Sequence, residues 1–261
     1  MKSNRKIQNF FKIPSNLCPD FNFNGMKRTG ILIATAFLFA FSSQAQIRDS
    51  LSIQNSKTAR IAGIALPAVM ITYGALSFGN GAIRNLDYST RNELLEDESI
   101  WNDRWDDYLQ YSPAVAAFSM KLCGVQSVHK LSDMFILYTL SSALSAGVVF
   151  TTKNIIGRKR PDGSSYRSFP SGHTATAFTA AEFLHQEYGD KSVWISIGGY
   201  GMASLIGVSR ICNNRHWVSD VVAGAGIGIL SAKIVYRMYP CLQKTFGKKN
   251  KKVQTLVLPG Y

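Results

Sequence analysis

The chain has 261 residues, of which 46% are hydrophobic and 17% charged, and a formal net charge of +13. A charged share below the roughly 25% of ordinary soluble domains excludes a disordered polar chain and points to segments buried in protein or lipid. The basic balance would suit nucleic acid, but no zinc-finger, helix-turn-helix or RNA-binding signature is present, so anionic lipid or another anionic substrate is the expected partner.

Residues 1–25 are polar and are set apart from the fold. Residues 26–46 place Lys27 and Arg28 before a short apolar run from Ile31 to Phe41, followed by Ser43-Gln44-Ala45. That order reads as a signal peptide cut before Gln46, or as an uncleaved first membrane helix. Either sends the following chain out of the cytoplasm. Residues 1–45 hold six basic side chains and one acid, so the chain after them keeps a net charge of +8. The expected units are 1–45 as extension and signal, 46–240 as a helical domain, and 241–261 as a basic tail. Of the four cysteines, Cys18, Cys123, Cys212 and Cys241, no two form a C-x-x-C pair, which argues against a thiolate metal site and leaves one disulfide open.

From Ile61 to Ile83 the chain is uncharged, though Pro67 and several glycines interrupt it. Residues 84–108 are the most charged stretch and read as a solvated connection with some helix. Met134–Thr152 reads as a long buried helix. Further helices are expected over 171–187, 192–209 and 216–238, the last with Gly224, Gly226 and Gly228 spaced for close helix contact. The fold expected is all-α, a helix bundle with its active site at one end and embedded in a membrane, with a soluble bundle as the competitor. If Ile61–Phe78 runs inward, 84–130 lies inside, Met134–Thr152 ends outside, and the last helix leaves the lysine-rich C-terminus inside, as the positive-inside rule expects.

Three clusters carry chemistry. Lys153 and Arg160 stand two helical turns apart, with Pro161 to end the helix. In Phe169-Pro170-Ser171-Gly172-His173, Ser171 is placed to cap a helix whose free N–H groups bind phosphate, Gly172 lets oxygens approach, and His173 sits at the edge. In Ser209-Arg210 to Asp220, His216 and Asp220 are four apart, so the carboxylate holds one ring nitrogen and presents the other. Each segment alone also reads blandly, as a basic helix end, a capped helix or a surface ion pair. Together they supply three cations, an anion-binding helix start, two histidines and an orienting acid. His129 and His185 lack such surroundings and are read as surface residues. Arg158, Lys159, Arg167 and Arg215 either attract anionic headgroups or are solvated. Residues 101–116, with their Trp and Tyr, read as interfacial or core aromatics.

The order K-x6-R-P, P-S-G-H, S-R-x5-H-x3-D across residues 153–220 resembles the type 2 phosphatidic acid phosphatase superfamily, which also holds acid phosphatases and vanadium haloperoxidases. The resemblance implies that Lys153, Arg160 and Arg210 hold phosphoryl oxygens, helped by Ser171 and Gly172. It implies that His216, assisted by Asp220, attacks phosphorus, and that His173 protonates the departing oxygen and then activates water. It implies no metal and no cofactor. The function expected is removal of phosphate from a lipid, lipid A before phosphatidylglycerophosphate, phosphatidic acid or undecaprenyl pyrophosphate, at the periplasmic face of a bacterial inner membrane. A soluble periplasmic acid phosphatase is the near alternative. A vanadate-dependent haloperoxidase and a non-catalytic phosphate-binding membrane protein stand further off.

Overall fold

The computed structural model describes residues 57–96 and 104–256. The signal segment, its cleavage site and Cys18 lie outside the described residues. Among the described residues there are eight helices and no strand: α1 (Lys57–Leu76), α2 (Gly81–Glu96), α3 (Asp106–Leu109), α4 (Ser112–Leu122), α5 (Leu131–Ile156), α6 (Gly172–Tyr188), α7 (Val193–Cys212) and α8 (Val218–Leu256). The expectation of an all-α bundle therefore holds. Cys123 and Cys212 are free thiols, the first exposed and the second buried.

Local chemistry sets the ends. Pro113 opens α4, where a missing N–H costs nothing. Asp133 stands in the first turn of α5 and Lys153 in its last, each at the end of the helix dipole that favours its charge. Gly157, at φ 61°, turns the chain out of α5 in the left-handed conformation that glycine adopts without strain. The Ser192 side chain accepts the N–H of Trp194 and caps α7. Helix α8 runs through Pro240 into the stretch expected to be a separate tail.

Helix α6 is the axis of the bundle. Nearly every side chain from Thr174 to Tyr188 is buried, with Phe178, Ala181, Tyr200, Ile206 and Ile229 in the main core. The glycines of α8 make that packing possible. A Cβ on Gly224 would meet the Ser171 carbonyl oxygen at 2.5 Å, one on Gly226 the Pro67 carbonyl at 2.6 Å, and one on Gly228 would collide with the Ala175 carbonyl. Backbones of α1, α6 and α8 thus approach where only hydrogen fits, the small-residue packing of membrane helices.

Three helices, α5, α7 and α8 up to Cys241, are long and apolar enough to cross a membrane. Helix α5 is the correction: expected buried, it leaves Phe135, Ile136, Leu140, Leu144, Val148 and Phe150 exposed, and only 28% of its most apolar window is buried. An uncovered apolar face of this length suits lipid, and we read the bundle as membrane-embedded.

The direction of the early helices also differs from expectation. Ser77, just after α1, meets Arg158, while Gly74 lies against Ala223, so α1 runs antiparallel to α8 and toward the end bearing Lys153 and His173. Helices α1 and α2 bend by 84° relative to each other, and Asp87 of α2 is buried against Ser219 at the start of α8. Residues 84–96 are a mostly exposed helix, as expected of a solvated connection with some helix, but it lies at the site end with Asp87 and Thr90 buried. The return is made by α3 and α4: Asp107 touches His173 at one end and Lys121 donates to the His129 carbonyl at the other. The described residues therefore traverse the bundle six times, and the starts of α1 and α5 lie at the same end as the later half of α8.

Candidate active site

All three motifs meet at one end of this bundle. The last turn of α5 brings Lys153, the loop 157–171 brings Arg160, the first turn of α6 brings Gly172 and His173, the end of α7 brings Arg210, and the turn before α8 brings His216. Ser171 joins two of these elements, donating its N–H to the Asp220 carbonyl at 3.0 Å. It occupies the N-cap position of α6, but its hydroxyl pairs with that of Thr174 at 2.8 Å instead of capping the backbone. A Cβ on Gly172 would lie 3.9 Å from Lys153 Cε, so glycine keeps the space beside that ammonium free. Lys153 donates to the carbonyls of Arg167 (2.8 Å) and Ser168 (3.3 Å), which aim the side chain across the loop.

His216 is buried, with Nδ1 3.6 Å from Asp220 Oδ2, an ion-pair distance longer than a hydrogen bond. Burial pushes its pKa down to about 4; Asp220 opposes the shift, and Lys153 and Arg210 add to it. The ring is therefore neutral at pH 7 and has a lone pair to offer. Asp220 is held from several sides: Ser168 and the Trp217 N–H (3.1 Å) donate to Oδ2, and Arg158 to Oδ1 at 2.7 Å.

The orienting acids on the other side come from a segment assigned no role by the motifs. Asp106 is buried and accepts from Arg210 Nη1 at 2.7 Å and from Ser209 at 3.2 Å. Asp107 lies 2.8 Å from His173 Nε2. Burial would raise the Asp107 carboxyl, but the His173 hydrogen bond and charge, with Arg210 and Arg104, bring it below its ordinary value. No spacing rule links residues 106 and 107 to positions 66 and 104 further along the chain. The one available signal was a pair of acids beside aromatics in a chain short of charge.

In the site, the buried donors Arg160 Nε, Arg210 Nε and His216 Nδ1 have no hydrogen-bond partner, nor has the acceptor Asp106 Oδ1. Buried unpaired donors are costly, and three in one site fit an oxyanion that would accept from the guanidiniums. Of the flanking cations, Arg215 pairs with Asp162 at 2.9 Å, Arg167 bonds Asn154 and lies over Phe150, and Arg158 points inward. Among the described residues no three His, Cys, Asp or Glu side chains converge as metal ligands. His185 is not a surface residue: it is buried and bonds Ser196 at 2.7 Å, while the partly exposed His129 bonds Glu187 at 2.9 Å.

Residues 134–244 match the PAP2 superfamily. The chain is 42% identical over 153 residues to the lipid A 1-phosphatase of Porphyromonas gingivalis, covering 58% of this chain and 34% of that one. It is 27% identical over 145 residues to the lipid A 4'-phosphatase of Helicobacter pylori, covering 53% and 71%. A transmembrane PAP2-type phosphatidylglycerolphosphate phosphatase from Bacillus subtilis superposes with a TM-score of 0.47 at 22% identity, over 72% of this chain and 97% of that one. The chain thus spans 34% of the length of the first of these relatives. The matched segment contains every residue of the three motifs, and over it this chain is similar to the PAP2 superfamily.

Proposed function

We propose that this protein is a lipid phosphatase that removes a phosphate monoester through a phosphohistidine intermediate, with lipid A as the preferred substrate. The observation that carries the reading is the meeting of Lys153, Arg160 and Arg210 around a buried neutral His216, with unpartnered guanidinium Nε donors beside it. The names of the two lipid A relatives support the choice of lipid. Lys153, Arg160 and Arg210 hold the phosphoryl oxygens, with the Ser171 and Gly172 segment at the start of α6. His216 Nε2 attacks phosphorus in line; the N–P bond forms as the ester P–O bond breaks, and His173 passes a proton to the departing lipid oxygen. Water then adds to phosphorus, His173 takes its proton, and the N–P bond breaks to release inorganic phosphate. No metal is needed, because the pocket's cations neutralise the charge that develops, the largest lever in phosphoryl transfer.

The orientation proposed is an inner-membrane protein with its site on the periplasmic face. The lysine-rich end of α8 lies opposite the site, and the positive-inside rule sends it to the cytoplasm. Six traverses then put the start of α1 on the cytoplasmic side too.

Mass spectrometry of lipid A and phospholipids, with and without the gene, tests the substrate. Loss of the protein should leave one additional phosphate on lipid A and no change elsewhere; an unchanged lipid A with phosphorylated glycerolipid accumulating would move the assignment to phospholipid. Thiol labelling should reach the exposed Cys123 from the same side as a Lys244→Cys variant and a Tyr166→Cys variant from the other.

A further inference from the structure

We propose that Arg158 and Asp87 are positioning residues that set the Asp220 carboxylate against the nucleophilic ring; this rests on the reading of His216 as the nucleophile. Arg158 stands two residues before Arg160 but serves a different purpose. Its Nη1 donates to Asp220 Oδ1 at 2.7 Å, to Ser219 Oγ at 2.7 Å and to Ser77 Oγ at 3.3 Å, and its Nη2 to Asp87 Oδ2 at 2.8 Å. The guanidinium also lies 5.2 Å from the Phe78 ring centre and 5.5 Å from that of Trp217. Both terminal nitrogens are committed to protein, so this arginine is no phosphate ligand.

Asp87 completes the device. Its Oδ1 accepts the Ser219 N–H at 2.9 Å and its Oδ2 the Ser219 hydroxyl at 2.6 Å, which fastens α2 to the first turn of α8. The result is a row of alternating charge, Asp87, Arg158, Asp220, with His216 at its end. Two fully buried carboxylates facing each other would repel; a planar fork between them satisfies both and fixes their orientation. With Oδ1 taken by Arg158, Asp220 can offer the ring only Oδ2, and the 3.6 Å gap to Nδ1 fixes which nitrogen is left for phosphorus. Attack turns the ring cationic, Nδ1–H becomes a stronger donor, and the waiting carboxylate receives it. Sequence separation hid this assembly: Asp87 lies 71 residues before Arg158.

The full-length protein in detergent, with a dispersed lipid phosphate as substrate, provides the test. Arg158→Lys keeps the buried charge but cannot span both acids. Asp87→Asn with Arg158→Gln removes both charges together, so neither is left buried alone. In both, kcat should fall roughly 10–100-fold, the usual cost of removing a group that orients a reacting one, while KM stays within about twofold. The double variant should also move the acid limb of kcat/KM to lower pH, because an Asp220 no longer held against the ring stabilises the His216 imidazolium less, while the cations facing the ring, Lys153 from α5 and Arg210 from α7, are unchanged. Either variant folding normally, by thermal denaturation, with wild-type kcat and pH profile would overturn the inference. His216→Ala run alongside separates the cases: if it stays active, the phosphohistidine reading fails; if it is inactive while the double variant is as fast as wild type, this inference alone fails.

Discussion

Two polar clusters sit on α6, one at each end, and their ingredients are nearly the same. The site end has His173, His216, Asp106, Asp107, Asp220 and three cations. The opposite end has His129, His185, Glu182, Glu187 and Lys233. There Glu187, fully buried, accepts from the His129 N–H (3.0 Å), the His129 ring (2.9 Å) and the Tyr236 hydroxyl (2.6 Å). Glu182, also buried, takes Lys233 at 3.1 Å, Gln186 and Tyr200. What separates the clusters is the accounting of partners. The far cluster spends its donors and acceptors on itself, which makes it a clasp between α6, α7 and α8. The site cluster leaves Arg160 Nε and Arg210 Nε unspent, and donors held ready in a buried pocket are how a protein binds an anion.

Substitutions in the two clusters should part the two roles. The largest effect belongs to His216→Ala, which should lower kcat on the order of 10⁴-fold or more with the fold intact; a phosphate-labelled protein trapped by rapid quench should vanish with it. Asp107→Asn comes next. It removes the carboxylate 2.8 Å from His173 and should slow turnover roughly 10–100-fold. Turnover unchanged in that variant would mean that the contact is incidental. The wild-type pH profile gives a smaller, directional reading. His216 attacks only when neutral, and burial holds its pKa near 4, so the acid limb of kcat/KM should lie near pH 4 and not at the 6.5 of a free imidazole. A limb at 6.5 would show a solvated ring. The smallest effect on catalysis is expected at the far clasp. Glu182→Leu should leave kcat within about twofold while costing on the order of 3 kcal/mol of stability, because the half-buried Lys233, Gln186 and Tyr200 lose the acceptor they share. Thermal denaturation beside the activity assay checks both halves, and a large loss of kcat in a folded protein would make the clasp part of the site.

Much of this protein could be read from its residues in order. Helix α6 was expected over 171–187 and spans Gly172–Tyr188; α7 was expected over 192–209 and spans Val193–Cys212. Local signals suffice there: a proline and a serine before an apolar run, small residues at close spacing, glycine at an end. The eight proposed site residues stand in three short motifs and are named through a family resemblance; the structure brings those motifs to one end of the bundle. Gly224, Gly226 and Gly228 announced close backbones, and the structure names the backbones they meet.

Tertiary structure alone decided the rest. Nothing in Asp87, Asp106 or Asp107 distinguishes them from solvated acids until α2 and α3 fold over the site, bury Asp87 against Arg158 and Asp106 against Arg210, and set the partly exposed Asp107 beside His173. Arg158 looked like one more surface cation in a basic run, and His129 and His185 like bystanders. The direction of α1 was likewise beyond reach, since a span reads the same either way and α3 with α4 is too short to announce a crossing. The physical reason is common to all these cases. Periodicity and capping are interactions over three or four residues, which sequence displays directly. The charge of a buried side chain is settled by partners 66 to 104 residues away, and only the folded bundle brings them together.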